Sequence, residues 1–421
     1  MKPNQFDPHH RHQLHSRRQF LTRSGYGLAG LGIGGALAGL PSRAAEEITI
    51  STTAKGRTPI FLRGYSGEAA DVLRFDLEIQ GFEVVADIAS AHYELTGSND
   101  GQVEGRLVDS RTKAELSSPR FQGASIRALA HALSDDVVLK VTGKNGIART
   151  KIAFKGGTGS ATEVYVADYD GAKAVAVTAD NKLVDSPAWV PGKLVLLYTS
   201  YINGYADILQ HDLNTGMRKV FAEFPGINLG PAVSPDGKRV AMILSKDGGG
   251  QSLYVCDIDG DNLKRLTTDR SSKSSPTWSP DGNLICFVSG IPKDTFDPGL
   301  YIIPANGGPR RLVRTPAFGT ASEPDWSPDG KWIAYSLTAS TGTGRSRIYR
   351  VPATGGEAKP LIDDPDPAES FEHPSWAPNS RTLVFLRQVG ERRVLSLLDA
   401  ETKVTKTLSI NEKGSEPAWA R

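Results

Sequence analysis

From Pro187 to Arg421 the hydrophobic residues fall in short runs separated by turn residues, and the runs come in groups that repeat. One group shows the grammar: residues 276–279 lead through Pro280-Asp281-Gly282 into apolar runs at 284–289, 300–303 and 310–313. Each group opens on one phrase: Ser186-Pro187-Ala188-Trp189, Gly230-Pro231-Ala232-Val233, Ser275-Pro276-Thr277-Trp278, Glu323-Pro324-Asp325-Trp326, His373-Pro374-Ser375-Trp376 and Glu416-Pro417-Ala418-Trp419. Successive phrases lie 43 to 50 residues apart, the length of one propeller blade. In three groups the first run is followed by Ser-Pro-Asp-Gly, at Ser234, Ser279 and Ser327. Proline presets φ and glycine tolerates φ > 0, so the chain reverses there between strands. The pattern predicts a four-stranded antiparallel unit per group.

The two ends of the array are complementary. The last phrase, Glu416 to Trp419, supplies a first strand and nothing after it, while 151–155, 163–168 and 174–178 read as strands two, three and four without a first. One blade built from both ends closes a ring of six and leaves no open sheet edge.

Before the ring the periodicity changes. Ala70, Leu73 and Leu77 fall at helical spacing ahead of Gly81, and Ser125 stands as N-cap to a stripe of Ile126, Leu129, Leu133 and Val137 that ends at Gly143. Short strands are predicted at 93–96, 103–108 and Phe121. The chain is therefore expected to be an α+β two-domain protein, with a small N-terminal α/β domain over 46–146 and a six-bladed β-propeller over 147–421.

Residues 1–45 read as a targeting segment. Arg17 and Arg18, in Ser-Arg-Arg-Gln-Phe-Leu, form a twin-arginine signal. A weakly apolar stretch at 26–40 and small residues Ser42 and Ala44 complete the layout of a removable export signal. The stretch is too short and too glycine-rich to span a bilayer. Of the 49 basic and 47 acidic residues, Lys2, Arg11, Arg17, Arg18, Arg23, Arg43 and Asp7 lie in this segment, so its removal changes the formal charge from +2 to −3. Nucleic acid is not an expected partner. Cys256 and Cys286 sit in strand-like runs and read as buried free thiols, with a disulfide as the alternative that export permits.

Other motifs have plain readings. Gly25-Tyr26-Gly27-Leu28-Ala29-Gly30 matches a dinucleotide fingerprint but has no strand before it. It leaves with the signal, as do His9, His10, His12 and His15. Asp257-Ile258-Asp259-Gly260 is hairpin chemistry rather than a calcium loop. His131 reads as a packed, hydrogen-bonded histidine in its helix, and the repeated tryptophans as wedges between blades.

The loops joining strand four of one blade to strand one of the next emerge on one face, around Asp185, Asn228, Ser274, Ser322, His373 and Ser415, with Glu323 and Glu372 beside them. Loops on a rigid scaffold are where recognition is usually placed. The polar segment holding Ser51, Thr52, Thr53 and Lys55 is expected to be a weakly tied, mobile terminus.

The run Arg127-Ala128-Leu129-Ala130-His131-Ala132-Leu133-Ser134-Asp135-Asp136, then 139–146, then Arg149-Thr150-Lys151-Ile152-Ala153-Phe154 resembles the domain junction of the TolB family, periplasmic propellers of the Tol-Pal system. The resemblance implies a periplasmic, monomeric, non-catalytic protein without cofactor or bound metal. Such a protein docks the peptidoglycan-associated lipoprotein Pal at the mouth and communicates with the inner-membrane partner TolA through its N-terminal segment. It serves envelope integrity and division without itself inserting in a membrane. The competing class is an exported propeller lyase or hydrolase working at the mouth, with Glu372 and His373 as its acid–base pair. No Gly-x-Ser-x-Gly elbow and no α/β domain after the ring support a hydrolase.

Overall fold

The computed structural model describes residues 56–421 apart from 249, 291–298, 314, 317, 318, 340–343, 364, 411 and 412. The export signal with Arg17 and Arg18, and Ser51, Thr52, Thr53 and Lys55, lie outside the described residues.

The first domain contains β1 (Thr58–Arg63), α1 (Gly67–Ile79), β2 (Phe82–Val85), β3 (Tyr93–Ser98), β4 (Val103–Asp109), β5 (Glu115–Ser117), β6 (Arg120–Phe121) and α2 (Ile126–Thr142). The sheet order is β2-β1-β3-β4-β5, with β6 also on β4; β1 runs parallel to β2 and β3. Ala69, Val72, Leu73 and Leu77 of α1 meet Leu129, Leu133 and Val137 of α2 over Ile60, Leu95 and Leu107 of the sheet. The predicted helix caps are in place: Ser125 Oγ accepts from the Ala128 N–H, and Gly143 adopts φ +70°, its N–H bonded to the Leu139 carbonyl. The parallel pair β1–β2 was not visible in the sequence.

Six four-stranded antiparallel sheets follow. Blades I to V span 184–222, 228–265, 273–313, 320–360 and 369–407. Blade VI combines the last strand, Ser415–Trp419, with β7 (Lys151–Thr158), β8 (Ala161–Asp168) and β9 (Val175–Ala176), so both ends of the array close the ring as predicted. In the Ser-Pro-Asp-Gly turns the serine hydroxyl donates to the aspartate and the glycine N–H returns to the serine carbonyl, as at Ser234, Asp236 and Gly237.

The tryptophans wedge between blades. Trp278 packs on Ile243 and Leu253 of blade II, and Trp326 on Val288 and Ile302 of blade III. Trp419 packs on Val384 and Leu397 of blade V. Cys256 and Cys286 are free and buried.

The first domain sits on the face of the ring that carries the turns between strands one and two. Phe75 and Ile79 of α1 join Ile147, Tyr169, Ala377, Leu397 and Trp419 in one core, and Glu78 pairs with Lys406 at 2.6 Å. Gly81 is needed here for more than ending α1. Its φ is +98°, and a Cβ at this position would fall 2.1 Å from the Arg381 guanidinium of blade V.

Candidate functional site

The inner strands of the six blades line a central channel of about 660 Å³. Each inner strand breaks register with its neighbour across the phrase that named the repeat, between Asp185 and Ala188 in blade I, for example, and between Glu372 and Ser375 in blade V. At every break the residue before the proline is left-handed: Ser186 (φ +50°), Gly230 (+56°), Ser275 (+50°), Glu323 (+49°), His373 (+53°) and Glu416 (+50°). The proline that follows has no N–H to offer a ladder, so the bulge forfeits no donor at that position. Bulges re-aim side chains, and all six residues line the channel.

The ring of six is chemically divided. Blades I to III contribute Ser186, Gly230 and Ser275, which are small and neutral, whereas blades IV to VI contribute Glu323, His373 and Glu416. Both glutamates also bind the next blade: Glu416 Oε2 accepts from the Ser186 N–H at 2.7 Å, and Glu323 Oε2 from the His373 N–H at 3.2 Å. Glu323 further accepts from Ser336 Oγ at 2.8 Å and lies 3.5 Å from His373 Nε2.

Below the bulges, Lys155 of β7 reaches up to 3.0 Å from both Asp185 and Glu416. Burial and then the neighbouring Glu416 push the Asp185 carboxyl up to about 7. Although burial opposes it, the bond from Asp185 together with the nearby His373 and Lys155 holds Glu416 well below the usual carboxylate range. Of the two acids, Glu416 is therefore the more readily ionised.

Several sequence-predicted site residues take other places. Asn228 does not face the mouth. It is 0% exposed, its amide donating to the Ala206 and Phe224 carbonyls and its oxygen accepting from the Phe224 N–H. It latches the loop entering blade II because its side chain points under that loop. Ser415 is 5% exposed and likewise buried. Ser274 is exposed and Ser322 half-buried, each one residue before a bulge. The expected Glu372–His373 pair is replaced by Glu323–His373 across two blades, while Glu372 accepts from Ser370 two residues back on its own strand. Ser186, Ser275 and Glu416 were missed although the residue before each proline was in view. Lys155 gave no signal at all, being 261 residues from Glu416.

The remaining histidines do not join the mouth. His92 is exposed, and burial holds His211 down at about 4 and therefore neutral. Among the described residues, one group brings metal-type donors together, Asp76, His131 and Asp170. The Tyr169 hydroxyl and the Arg127 guanidinium already occupy its carboxylates. No helix of the described residues is long and apolar enough to cross a membrane.

Residues 138–421 match the TolB beta propeller domain family. The Tol-Pal system protein TolB of Bordetella parapertussis is 31% identical over 416 residues, which cover 91% of this chain and 92% of that one, and that of Bordetella pertussis is equally similar. The crystal structure of TolB from Acinetobacter baumannii superposes with a TM-score of 0.74 at 23% identity, over 86% of this chain and 96% of that one. The structure of a putative TolB from Agrobacterium tumefaciens gives 0.51 at 22% identity, over 63% and 90%. The two structures share the fold, and the match over two-thirds of the chain together with the full-length Bordetella relatives decides the family: this chain belongs to the TolB family of Tol-Pal propeller proteins.

Proposed function

We propose that this protein is a periplasmic docking scaffold that binds a Pal-like peptidoglycan-associated lipoprotein domain at the propeller mouth and performs no chemistry there. The observation that carries the reading is the ring of six left-handed bulges on the face the first domain leaves free. Non-glycine residues in this conformation cost of order 1–3 kcal/mol each and persist where the surrounding structure dictates them. Here they aim Ser186, Ser275, Glu323, His373 and Glu416 at one opening. The divided ring suits a partner that sets polar or basic groups against blades IV to VI and its backbone against blades I to III. Asp185, Ser274, Ser322 and Glu372 flank that contact, while Asn228 and Ser415 support it from beneath.

Export through the Arg17-Arg18 signal, and engagement of a TolA-like inner-membrane protein by the segment of Ser51, Thr52, Thr53 and Lys55, complete the proposal. The test is a calorimetric titration of the protein with the Pal-like domain of its own organism. Glu323→Gln with His373→Ala is expected to weaken binding by about 1–3 kcal/mol, roughly five- to 150-fold. Equal affinity of the double variant and wild type places the contact elsewhere. A wild type that binds no such domain removes the scaffold reading and returns the enzyme alternative, with the Glu323–His373 pair the first to assay.

A further inference from the structure

At the junction of the two domains a chain of ionisable groups is shut away from water. Asp76 comes from α1, His131 and Arg127 from α2, and Tyr169 and Asp170 from the turn between β8 and β9 of blade VI. The side chains of Asp76, Asp170 and His131 are 0, 3 and 5% exposed. His131 Nδ1 lies 2.8 Å from Asp76 Oδ2, and its Nε2 lies 3.4 Å from Asp170 Oδ2. The Tyr169 hydroxyl donates to the other oxygen of Asp76. Arg127 binds Asp170 and reaches Glu68 of α1 at 3.7 Å. Asp135, one turn along α2 from His131, is committed to Arg149 and to the Ala148 N–H of the interdomain connection.

Both imidazole nitrogens therefore face a carboxylate oxygen. A neutral imidazole has one N–H and one lone pair, so it would turn a lone pair on one of the two acids; an imidazolium turns an N–H on each, hydrogen-bonded to Asp76 through Nδ1 and held to Asp170 by charge alone, since Nε2 makes no hydrogen bond. Charge balance gives the same answer. Arg127 pairs with Asp170, whereas a neutral His131 would leave Asp76, whose carboxyl burial already pushes up from its ordinary value, with no cation and only polar partners such as the Tyr169 hydroxyl.

The geometry points to His131 as a proton-operated latch: the imidazolium, held between Asp76 of the first domain and Asp170 of the propeller, fastens the two domains together, and loss of its proton loosens the junction. The direction of titration agrees. Burial disfavours the charge, but the bond to Asp76 and the fields of Asp76 and Asp170 outweigh it, so the His131 pKa is raised. A raised value means that the latch contributes fully below the ordinary imidazole pKa of about 6.5 and is lost as pH climbs through the higher value of the closed state. The latch does not rest on the proposed docking function, since it concerns how the domains hold each other whatever binds the mouth.

Two readings on the full chain test it. Nitrogen-15 spectra of labelled histidine, with His131 assigned by its disappearance in His131→Gln, give the protonation of each ring nitrogen against pH. Hydrogen exchange of segments 75–82 and 147–150 reports whether the junction is closed. The expected result is a His131 that is doubly protonated below a midpoint above about 6.5, with protection at both segments, taken relative to base-catalysed intrinsic exchange, falling along the same curve. Asp170→Asn is expected to lower that midpoint by about one pH unit or more, and His131→Gln to make the junction's protection indifferent to pH. A His131 that titrates at or below about 6.5, or a junction whose protection does not fall along that titration in the wild type, overturns the latch, and the protection is read on the wild type alone.

Discussion

Ser186, Gly230, Ser275, Glu323, His373 and Glu416 have no side-chain chemistry in common, yet they share one backbone conformation, because each stands before a proline in an inner strand that must bulge. The proline was legible in the sequence and the conformation was not, since φ > 0 is announced by residue type only where glycine or asparagine holds the position. Asn228 illustrates the opposite failure. A polar residue opening a strand reads as exposed, and its burial depends on Ala206 and Phe224, which a linear reading does not bring to it. Asn228→Ala is accordingly expected to destabilise the protein by about 1–2 kcal/mol, because it strips the half-buried Phe224 N–H and carbonyl of this partner, while the Ala206 carbonyl keeps the Asn228 N–H. Urea unfolding measures this, and a midpoint equal to wild type would mean that the loop rearranges around the gap.

At the scale of elements the repeat was legible because each blade restates the same order of phrase, turn and apolar runs, and the mismatched ends of the array foretold blade VI. The strand that completes it, Ser415–Trp419, pairs with β7, and Trp419 fills the junction beneath the first domain. Deleting residues 414–421 removes this inner strand with its tryptophan, bares the edge of β7, and is expected to lower the melting temperature by well over 10 °C, since the loss far exceeds the ~1 kcal/mol of an average substitution. A truncated protein that melts with the wild type would contradict ring closure. By contrast β1 and β2 escaped the reading. They are a short parallel pair without alternation, and what fixes them is α1 crossing between them and the core they close.

At the scale of the molecule the protein has two faces of different make-up. The turn face of blades V and VI carries the first domain through an apolar core, the Glu78–Lys406 pair and the buried His131 group. The opposite face holds the bulged mouth, where Asp185, Lys155 and Glu416 meet one side of the channel and Glu323 and His373 another. That division was only half legible. The helix carrying His131 was read as packed, but the acid it packs on belongs to a helix 55 residues earlier, and the propeller's Asp170 completes the group from a turn that no pattern singled out. The docking proposed above puts a Pal-like domain at the mouth and not on the turn face. Hydrogen exchange of the protein with and without the Pal-like domain of its own organism tests it most directly. Docking at the mouth is expected to slow exchange at 184–186, 273–275, 320–323, 369–373 and 415–416 and to leave the turns at 190–193, 234–237 and 279–282 unchanged. Protection confined to those turns, or to the first domain, would contradict it.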